Sequence, residues 1–163
     1  MYSKEYKSSE SLPMTKLNGP LIAECATWLS IVSQLYSSRM NTLLEPHGLT
    51  LGQFSILHHI ARQRIGGRNR VSDIAAAVEV EQPAVTKALA KFQNMGLVEI
   101  LASPSDKRAK IVTAKPKAAE FLESIHKDIG PDLFRTFSAL DADGIEDFVA
   151  QLKLLGQWLD QNR

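Results

Sequence analysis

The chain has 163 residues, of which 44% are hydrophobic and 23% are charged, and its net charge is +1. These values are typical of a soluble globular protein with one domain, or with two small lobes that share a core. The single cysteine, Cys25, excludes an intramolecular disulfide, and no apolar run approaches the roughly 18 residues needed to cross a bilayer. The N-terminus also lacks the apolar run of a signal peptide, so we expect a soluble cytoplasmic protein.

The charged residues are unevenly distributed along the chain. Residues 1–60 carry no net charge, residues 61–117 carry +6, and residues 118–163 carry −5. A basic middle segment followed by an acidic end is typical of a protein in which one part faces a polyanion and another part does not.

The N-terminal part of the sequence predicts an arm and a long helix. Residues 1–17 are polar and of mixed charge, and we expect them to form a flexible arm. From Asn18 to Glu45, apolar residues recur with the spacing of one helical face, and the segment 46–48 ends that helix. The stripe consists of Leu21, Cys25, Trp28, Val32, Leu35 and Leu43. Because further apolar residues widen this stripe, we expect the helix to be buried against a partner.

Residues 50–71 predict a second helix and a short strand. Thr50 is a suitable N-cap for a helix that extends to about Arg64. A basic, glycine-rich turn over residues 65–69 follows it, and Arg70 and Val71 favour a very short strand.

Two short helices are then predicted in quick succession. Ser72 is expected to cap the first of them, and residues 79–81 form the turn. Pro83 suits the first turn of the second helix, where a missing N–H is harmless. Gly96 is well placed for a left-handed helix end.

The remainder of the sequence predicts a hairpin and two helices. Residues 97–101 and 110–113 favour β-structure and flank a polar segment, which indicates a β-hairpin with a charged tip. A helix over residues 118–137 is expected to be interrupted or kinked at Gly130 and Pro131. Asp141 is expected to cap a last helix, whose apolar stripe consists of Ile145, Phe148, Leu152, Leu155 and Leu159.

The order helix, short turn, helix and charged hairpin predicts a winged helix-turn-helix. The second helix of the pair offers a small, polar outer face to a DNA major groove, where Gln can bind adenine edges and Lys can reach phosphate or guanine. Its outward residues are Gln82, Thr86, Lys87, Lys91 and Asn94, with the small Ala84 and Ala90 between them. At the hairpin, Lys107, Arg108 and Lys110 are expected to reach phosphates or the minor groove.

Several runs of residues in this order resemble the MarR family of transcriptional regulators. They are Gly48-Leu49-Thr50-Leu51-Gly52-Gln53-Phe54, Val71-Ser72-Asp73-Ile74-Ala75-Ala76-Ala77-Val78, Gln82-Pro83-Ala84-Val85-Thr86-Lys87, Met95-Gly96-Leu97-Val98-Glu99 and Ser105-Asp106-Lys107-Arg108-Ala109-Lys110. Each run alone is weakly specific, whereas the ordered set is specific. The resemblance extends from about Leu21 to the C-terminus.

The resemblance implies a mainly α-helical fold with a small β-hairpin wing (α+β), in which N- and C-terminal helices form a homodimer. Residues 18–48 and 116–163 would be the dimerisation region, and residues 49–115 the DNA-binding lobe. It implies that the DNA-binding segment Gln82–Lys87, with Pro83 and Ala84, enters the major groove of a pseudo-palindromic operator.

The resemblance also implies roles for individual residues and a mode of regulation. Asp106 would stabilise the wing by pairing with a nearby basic residue of the protein, while Arg108 contacts DNA. Family members are mostly repressors, and many release DNA when a small, often aromatic and acidic, ligand binds. In this chain Trp28, Arg39 and His58 would line such a pocket, with Arg39 pairing the acidic group.

Alternatives to ligand-controlled repression remain open at this point. Cys25 falls where some relatives sense hydroperoxides, although its place on the apolar stripe favours a buried core residue. A winged-helix lobe that contacts protein instead of DNA is a further alternative. His58 and His59 point about 100° apart on a helix and cannot chelate one metal together. With His47 and His126 they could still meet in space, as in zinc-sensing relatives, but surface or pocket histidines are the favoured interpretation, so we expect no metal and no cofactor. The motifs typical of hydrolases, phosphate-binding loops and metalloproteases are absent from the sequence, which argues against an enzyme.

Overall fold

The computed structural model describes residues 18–62, 69–102 and 110–162 of the chain. The predicted arm over residues 1–17 lies outside the described residues. So do Asp106, Lys107 and Arg108 at the hairpin tip, and most of the basic turn before Arg70.

The elements follow one another in the predicted order. The helices are α1 (Gly19–Leu44), α2 (Leu51–Arg62), α3 (Val71–Ala77), α4 (Gln82–Asn94), α5 (Pro116–Phe137) and α6 (Ala142–Gln161), and the strands are β1 (Asn69–Arg70), β2 (Val98–Ala102) and β3 (Lys110–Ala114). The predicted fold class, mainly helical with a small β-hairpin, is confirmed. Among the helices described, none is both long enough and apolar enough to span a membrane.

The corner between α1 and α2 is fixed by a glycine and by side-chain caps. A short 3-10 turn over Glu45–His47 follows α1, and Gly48 adopts a left-handed φ of 68° that reverses the chain. The hydroxyl of Thr50 accepts a hydrogen bond from the N–H of Gln53 at 3.2 Å, and the Gln53 side-chain oxygen accepts one from the N–H of Thr50 at 3.3 Å. This reciprocal capping box confirms Thr50 as the N-cap of α2.

The predicted N-cap of α3 was wrong. Helix α3 begins at Val71 with Arg70 as its N-cap, so β1 and α3 follow each other without a loop. Ser72 therefore lies inside the helix, and its hydroxyl donates to the carboxylate of Asp73 at 3.1 Å. The strand predicted at Arg70 and Val71 lies one residue earlier, because β1 must pair with β3.

Helix α4 ends where glycine was expected to end it. Gly96 has a φ of 74°. The N–H of Leu97 donates to the carbonyl of Phe92 at 2.9 Å, and the N–H of Gly96 donates to the carbonyl of Gln93 at 3.0 Å. These two bonds form a Schellman motif, which turns the chain directly into β2.

The three strands form one antiparallel sheet in the order β1-β3-β2. In the hairpin, Val98 pairs with Ala114 and Ala102 pairs with Lys110, while Arg70 of β1 pairs with Ile111 on the other side of β3. The sheet packs against α2, α3 and α4 to close one core. The largest fully buried side chains of that core are Phe92, Leu44, Ile56, Leu57, Ile60, Ile74, Leu89, Leu97, Ile125, Ile129, Val85 and Val98.

Of the interruption or kink predicted at Gly130 and Pro131, the interruption was wrong, because α5 is continuous from Pro116 to Phe137 with Pro131 inside it. Contacts on both sides of the proline hold the helix in place. Ile129 is buried in the core, and Asp132 pairs with Arg39 of α1. Tertiary packing therefore outweighs the hydrogen bond that proline removes.

A fork-shaped ion pair joins α1 to α5. The Nε and Nη2 atoms of Arg39 donate to the two carboxylate oxygens of Asp132 at 2.6 and 2.5 Å. Hydrogen bonding to Arg39 lowers the pKa of Asp132 below its ordinary value of 3.8. The pair therefore links the two helices wherever this carboxyl group is ionised.

Helix α6 begins at the predicted cap and is largely exposed. The carboxylate of Asp141 accepts a hydrogen bond from the N–H of Gly144 at 2.7 Å, which confirms Asp141 as the N-cap. No residue of α6 is buried in the single chain. Its exposed apolar residues are Phe148, Val149, Leu152, Leu154, Leu155, Trp158 and Leu159.

We expect Asp132→Asn to destabilise the protein at neutral pH and to lose this effect in acid. Because the folded state lowers the pKa of Asp132, its contribution to stability is present above pH 3.8 and disappears as the pH falls through the lower folded value. The effect is small because Arg39 is exposed. The measurement is the melting temperature of both proteins from pH 7 to pH 2. A difference that stays constant over this range would contradict the prediction.

Candidate nucleic-acid interface

Helix α4 separates a buried face from an exposed polar face. Its inner residues Val85, Ala88, Leu89 and Phe92 are each no more than 2% exposed. Around them, the outward residues of its first half are all exposed: Gln82, Pro83, Ala84, Thr86 and Lys87. The structure therefore brings together five of the residues that the sequence predicted to meet DNA.

The outer face of α4 carries small side chains and groups that can form hydrogen bonds with a bound molecule. The hydroxyl of Thr86 donates to the carbonyl of Gln82 at 2.9 Å. Its proton is thus used within the helix, so Thr86 presents a methyl group and an accepting oxygen to its surroundings. The side-chain amide of Gln82 can both donate and accept hydrogen bonds. The small side chains of Ala84 and Ala90 allow DNA to approach the helix closely.

Lys87 supplies a free positive charge on this face. Within the described part of the chain, its ammonium group has no hydrogen bond and no ion pair. Helix α4 itself contains no acidic residue, and Glu81 precedes it as an exposed N-cap. The face therefore combines neutral hydrogen-bonding groups with a cation.

A cleft of about 480 Å³ separates α4 from the sheet. Its polar lining comes from four elements, namely Arg70 of β1, Ser72 of α3, Gln82, Thr86 and Gln93 of α4, and Lys110 of β3. Gln82, Thr86 and Lys110 were expected at this interface from the sequence, whereas Arg70, Ser72 and Gln93 were not. The net charge of +6 over residues 61–117 includes Arg70, but charge alone does not show which basic residues share a cleft.

Lys91, which the sequence placed among the outward residues of α4 that meet DNA, does not lie free on that face. It is half-buried, and its ammonium group donates to the side-chain oxygen of Gln53 at 3.0 Å and to the carbonyl of Gly48. The same Gln53 oxygen accepts from the N–H of Thr50. Lys91 is therefore a tie between α4 and the corner that joins α1 to α2.

The three residues expected to line an effector pocket do not form one group. Trp28 precedes Arg39 by three helical turns of α1, so about 16 Å of helix separate them. Trp28 is 56% exposed, and Arg39 is paired with Asp132. His58 lies on α2, where it is half-buried.

His58 belongs to an aromatic cluster between α2 and α5. Its ring stacks on Phe54 with centroids 5.7 Å apart, and it meets the edge of His126 at 5.7 Å. Burial lowers the pKa of His58, and the nearby charge of His126 lowers it further. At neutral pH the ring is therefore uncharged and able to pack against Phe54.

The other histidines do not complete a metal site. His47 lies 3.4 Å from the carboxylate of Asp128. Over residues 18–62, 69–102 and 110–162, no group of three or more potential ligands is arranged to hold a metal ion.

Cys25 is exposed in the single chain, so its assignment to a buried core was wrong for the monomer. It lies on the apolar stripe of α1. The buried residues of this helix are Met40 and Leu44, near its C-terminal end. The exposed apolar residues of this helix are Leu21, Ile22, Trp28, Leu29, Ile31, Val32, Leu35 and Tyr36. Together with the exposed face of α6, they leave a large apolar area without a cover in one chain.

The known proteins to which this chain is similar include members of the MarR family. A family model described as the MarR family matches residues 47–109. The multiple antibiotic resistance protein MarR of Salmonella typhimurium is 29% identical over 124 residues, which cover 76% of this chain and 84% of that protein. MarR of Escherichia coli is 28% identical over 126 residues, with coverage of 77% and 85%.

Solved structures agree with these matches. A cysteine-to-serine variant of Escherichia coli MarR, complexed with operator DNA, superposes with a TM-score of 0.68 at 27% identity and covers 82% of this chain and 94% of that one. A MarR-family transcriptional regulator from a Rhodococcus species gives a TM-score of 0.73 at 17% identity, with coverage of 85% and 96%. The second similarity supports the fold alone.

We expect Lys91→Ala to lower the free energy of unfolding by about 1 kcal/mol, because it removes hydrogen bonds that hold α4 against α2. Lys87→Ala is the matched control on the same helix. Its side chain has no partner among the described residues, so its effect should stay within about 0.5 kcal/mol. Urea unfolding of the three proteins measures both values. Equal losses for the two variants would show that Lys91 is not a structural tie.

Proposed function

We propose that this chain is a member of the MarR family of winged-helix transcriptional regulators, to which its sequence and fold are similar, and that it is a cytoplasmic repressor that binds a pseudo-palindromic operator as a homodimer. Members of this family are transcriptional regulators and not enzymes. The proposal assigns residues 49–115 to DNA binding and residues 18–48 and 116–163 to dimerisation.

The outer face of α4 is the observation that carries the proposal. Gln82, Thr86 and Lys87 are exposed on it, while Leu89 and Phe92 fix the opposite face in the core. A helix of this kind fits the major groove, where side chains can bind base edges and a lysine can reach phosphate or guanine. The operator complex of the Escherichia coli relative supports this use of the fold.

The uncovered apolar faces of α1 and α6 support the homodimer. A second copy of the chain can cover both faces at once, because a two-fold interface uses the same surface on both subunits. Two lobes related by a two-fold axis would then bind two half-sites of inverted sequence. In this arrangement Cys25 lies on a face that the dimer would cover.

Relief by a small, aromatic and acidic ligand is the finer part of the proposal. The cluster of the half-buried Phe54 and His58 with the exposed His126 offers aromatic surfaces for such a ligand between α2 and α5. Arg39 would have to leave Asp132 before it could bind an acidic group. Trp28 would join the pocket only if a partner chain brought it there.

A redox-controlled repressor is the second candidate. Cys25 is exposed in the single chain, and because the proposed dimer would cover this face, redox control requires the thiol to stay accessible at the interface. A reactive cysteine must be accessible to the oxidant. The two candidates differ in what releases the DNA, which is either an aromatic acid or a peroxide. Cys25→Ser would abolish the response to peroxide and would leave the response to an aromatic acid unchanged.

The proposal is tested by fluorescence anisotropy with the DNA upstream of the gene and with scrambled DNA, across a salt series. We expect tighter binding to the upstream DNA and a steep loss of affinity with salt, because several phosphates are neutralised. Lys87→Ala should weaken binding by about tenfold or more and should leave the fold intact.

The design separates three outcomes. Selective, salt-sensitive binding that Lys87→Ala weakens supports the proposal. Binding that Lys87→Ala leaves unchanged would contradict the role given to α4. If the wild-type protein selects no duplex from a random-sequence pool at any salt concentration, the lobe is a protein-interaction module and the proposal fails.

The dimer carries a prediction of its own. Leu155→Glu places a charge in the middle of the exposed stripe of α6, and we expect it to turn a dimer into a monomer at micromolar concentration. Lys153→Glu is the control, because it introduces the same side chain at an exposed position beside the stripe. Sedimentation velocity measures both. A wild-type monomer, or a Leu155→Glu dimer, would be inconsistent with the proposed interface.

A further inference from the structure

Two basic side chains lie on one side of α4, at the cleft between this helix and the sheet. Arg70 and Lys110 both line the cleft, and both are exposed. Over the described parts of the chain, neither side chain has a hydrogen bond or an ion pair. Gln82 and Thr86 of α4 line the same cleft. The two positive charges therefore flank the face that the proposed function assigns to the major groove.

The backbone of Arg70 is held from two directions. Arg70 is the second residue of β1 and pairs with Ile111 of β3. It is also the N-cap of α3, with extended backbone angles of −73° and 150°. A residue that belongs to a strand and also starts a helix has little backbone freedom. The side chain of Arg70 therefore extends from a fixed backbone position.

The nearby acidic groups do not neutralise Arg70. Asp73, in the first turn of α3, accepts the hydroxyl of Ser72 and forms no ion pair with Arg70. Glu99 on β2 is exposed and does not line the cleft. Strand β2 contributes Ile100 to the cleft and no cation, so among the described residues the positive charge of the cleft comes from β1 and β3.

We propose that Arg70 binds a phosphate of the DNA strand that borders the major groove entered by α4. This inference rests on the proposed function. A phosphate is favoured over a base edge because Arg70 lies beside α4, on the sheet side, where the backbone of a duplex would run. The planar guanidinium group donates two parallel hydrogen bonds that match phosphate oxygens. Arg70 is thus a positioning contact that carries no sequence information.

The experiment compares Arg70→Gln and Arg70→Lys with the wild-type protein. The probes are a duplex selected by the wild-type protein from a random-sequence pool and a scrambled duplex of the same length. Arg70→Gln removes the charge and keeps the length of the side chain. It should reduce the slope of log affinity against log salt by about 0.9 for each phosphate lost, or about 1.8 for a dimer.

Two further results are expected from a phosphate contact. Arg70→Gln should weaken binding to the selected and the scrambled duplex by the same factor, so that their ratio stays unchanged. Arg70→Lys, which keeps the charge, should retain the wild-type slope. Lys127→Ala on the exposed side of α5 removes one positive charge away from the cleft and should change neither slope nor ratio. Equal melting temperatures show that the variants are folded.

The outcomes distinguish this inference from the proposed function. If the wild-type protein binds no duplex, both are overturned. If it binds and Arg70→Gln keeps the full salt slope, the inference alone fails. A changed ratio between the two duplexes would show a base contact instead of a phosphate contact, and this also overturns it. A slope that falls equally in Arg70→Gln and Lys127→Ala would reflect overall charge and would contradict a specific contact at Arg70.

Discussion

The burial of one face of α4 is the constraint on which the rest of the structure depends. Val85, Leu89 and Phe92 are almost fully buried, and burying side chains of this size contributes about 1.5–3 kcal/mol each. This packing fixes the rotation of α4 about its axis, which decides that Gln82 and Thr86 point outward. The Schellman motif at Gly96 then leads directly into β2, so the same helix also sets where the hairpin begins.

The distribution of apolar and charged residues divides the chain into parts with different surroundings. The segment from α2 to β3 shares one core with α1 and α5, and it carries most of the excess positive charge. By contrast, α6 buries no residue in one chain, and its apolar stripe lies in the acidic C-terminal part. An apolar helix within an acidic segment is suited to another protein surface and repels DNA, whereas a basic lobe is suited to DNA.

Most features that depend on local sequence were predicted correctly, whereas several that depend on contacts between distant residues were not. The N-cap at Thr50, the glycine end at Gly96 and the cap at Asp141 each involve neighbours within a few residues. The cap predicted at Ser72 was wrong, because Arg70, which pairs with β3, caps α3 instead. Lys91 was placed on the DNA-facing side because helical spacing does not reveal that Gly48, 43 residues earlier, accepts its hydrogen bond. Arg70 was missed for the same reason, since only the pairing of β1 with β3 brings it to the cleft.

The hydrogen bonds around the α1–α2 corner have a consequence for any control of DNA binding. The side chain of Asn41 in α1 accepts from the N–H of Leu51 at 2.7 Å, and Gln53 in the first turn of α2 accepts from Lys91 of α4. Helix α4 is therefore linked through α2 to α1, so in the proposed dimer the packing of α1 would influence the distance between the two α4 helices. A signal that moved α1 against α5, where Arg39 meets Asp132, would then be transmitted through these bonds to the faces that we assign to DNA. Control by spacing needs no change within α4 itself.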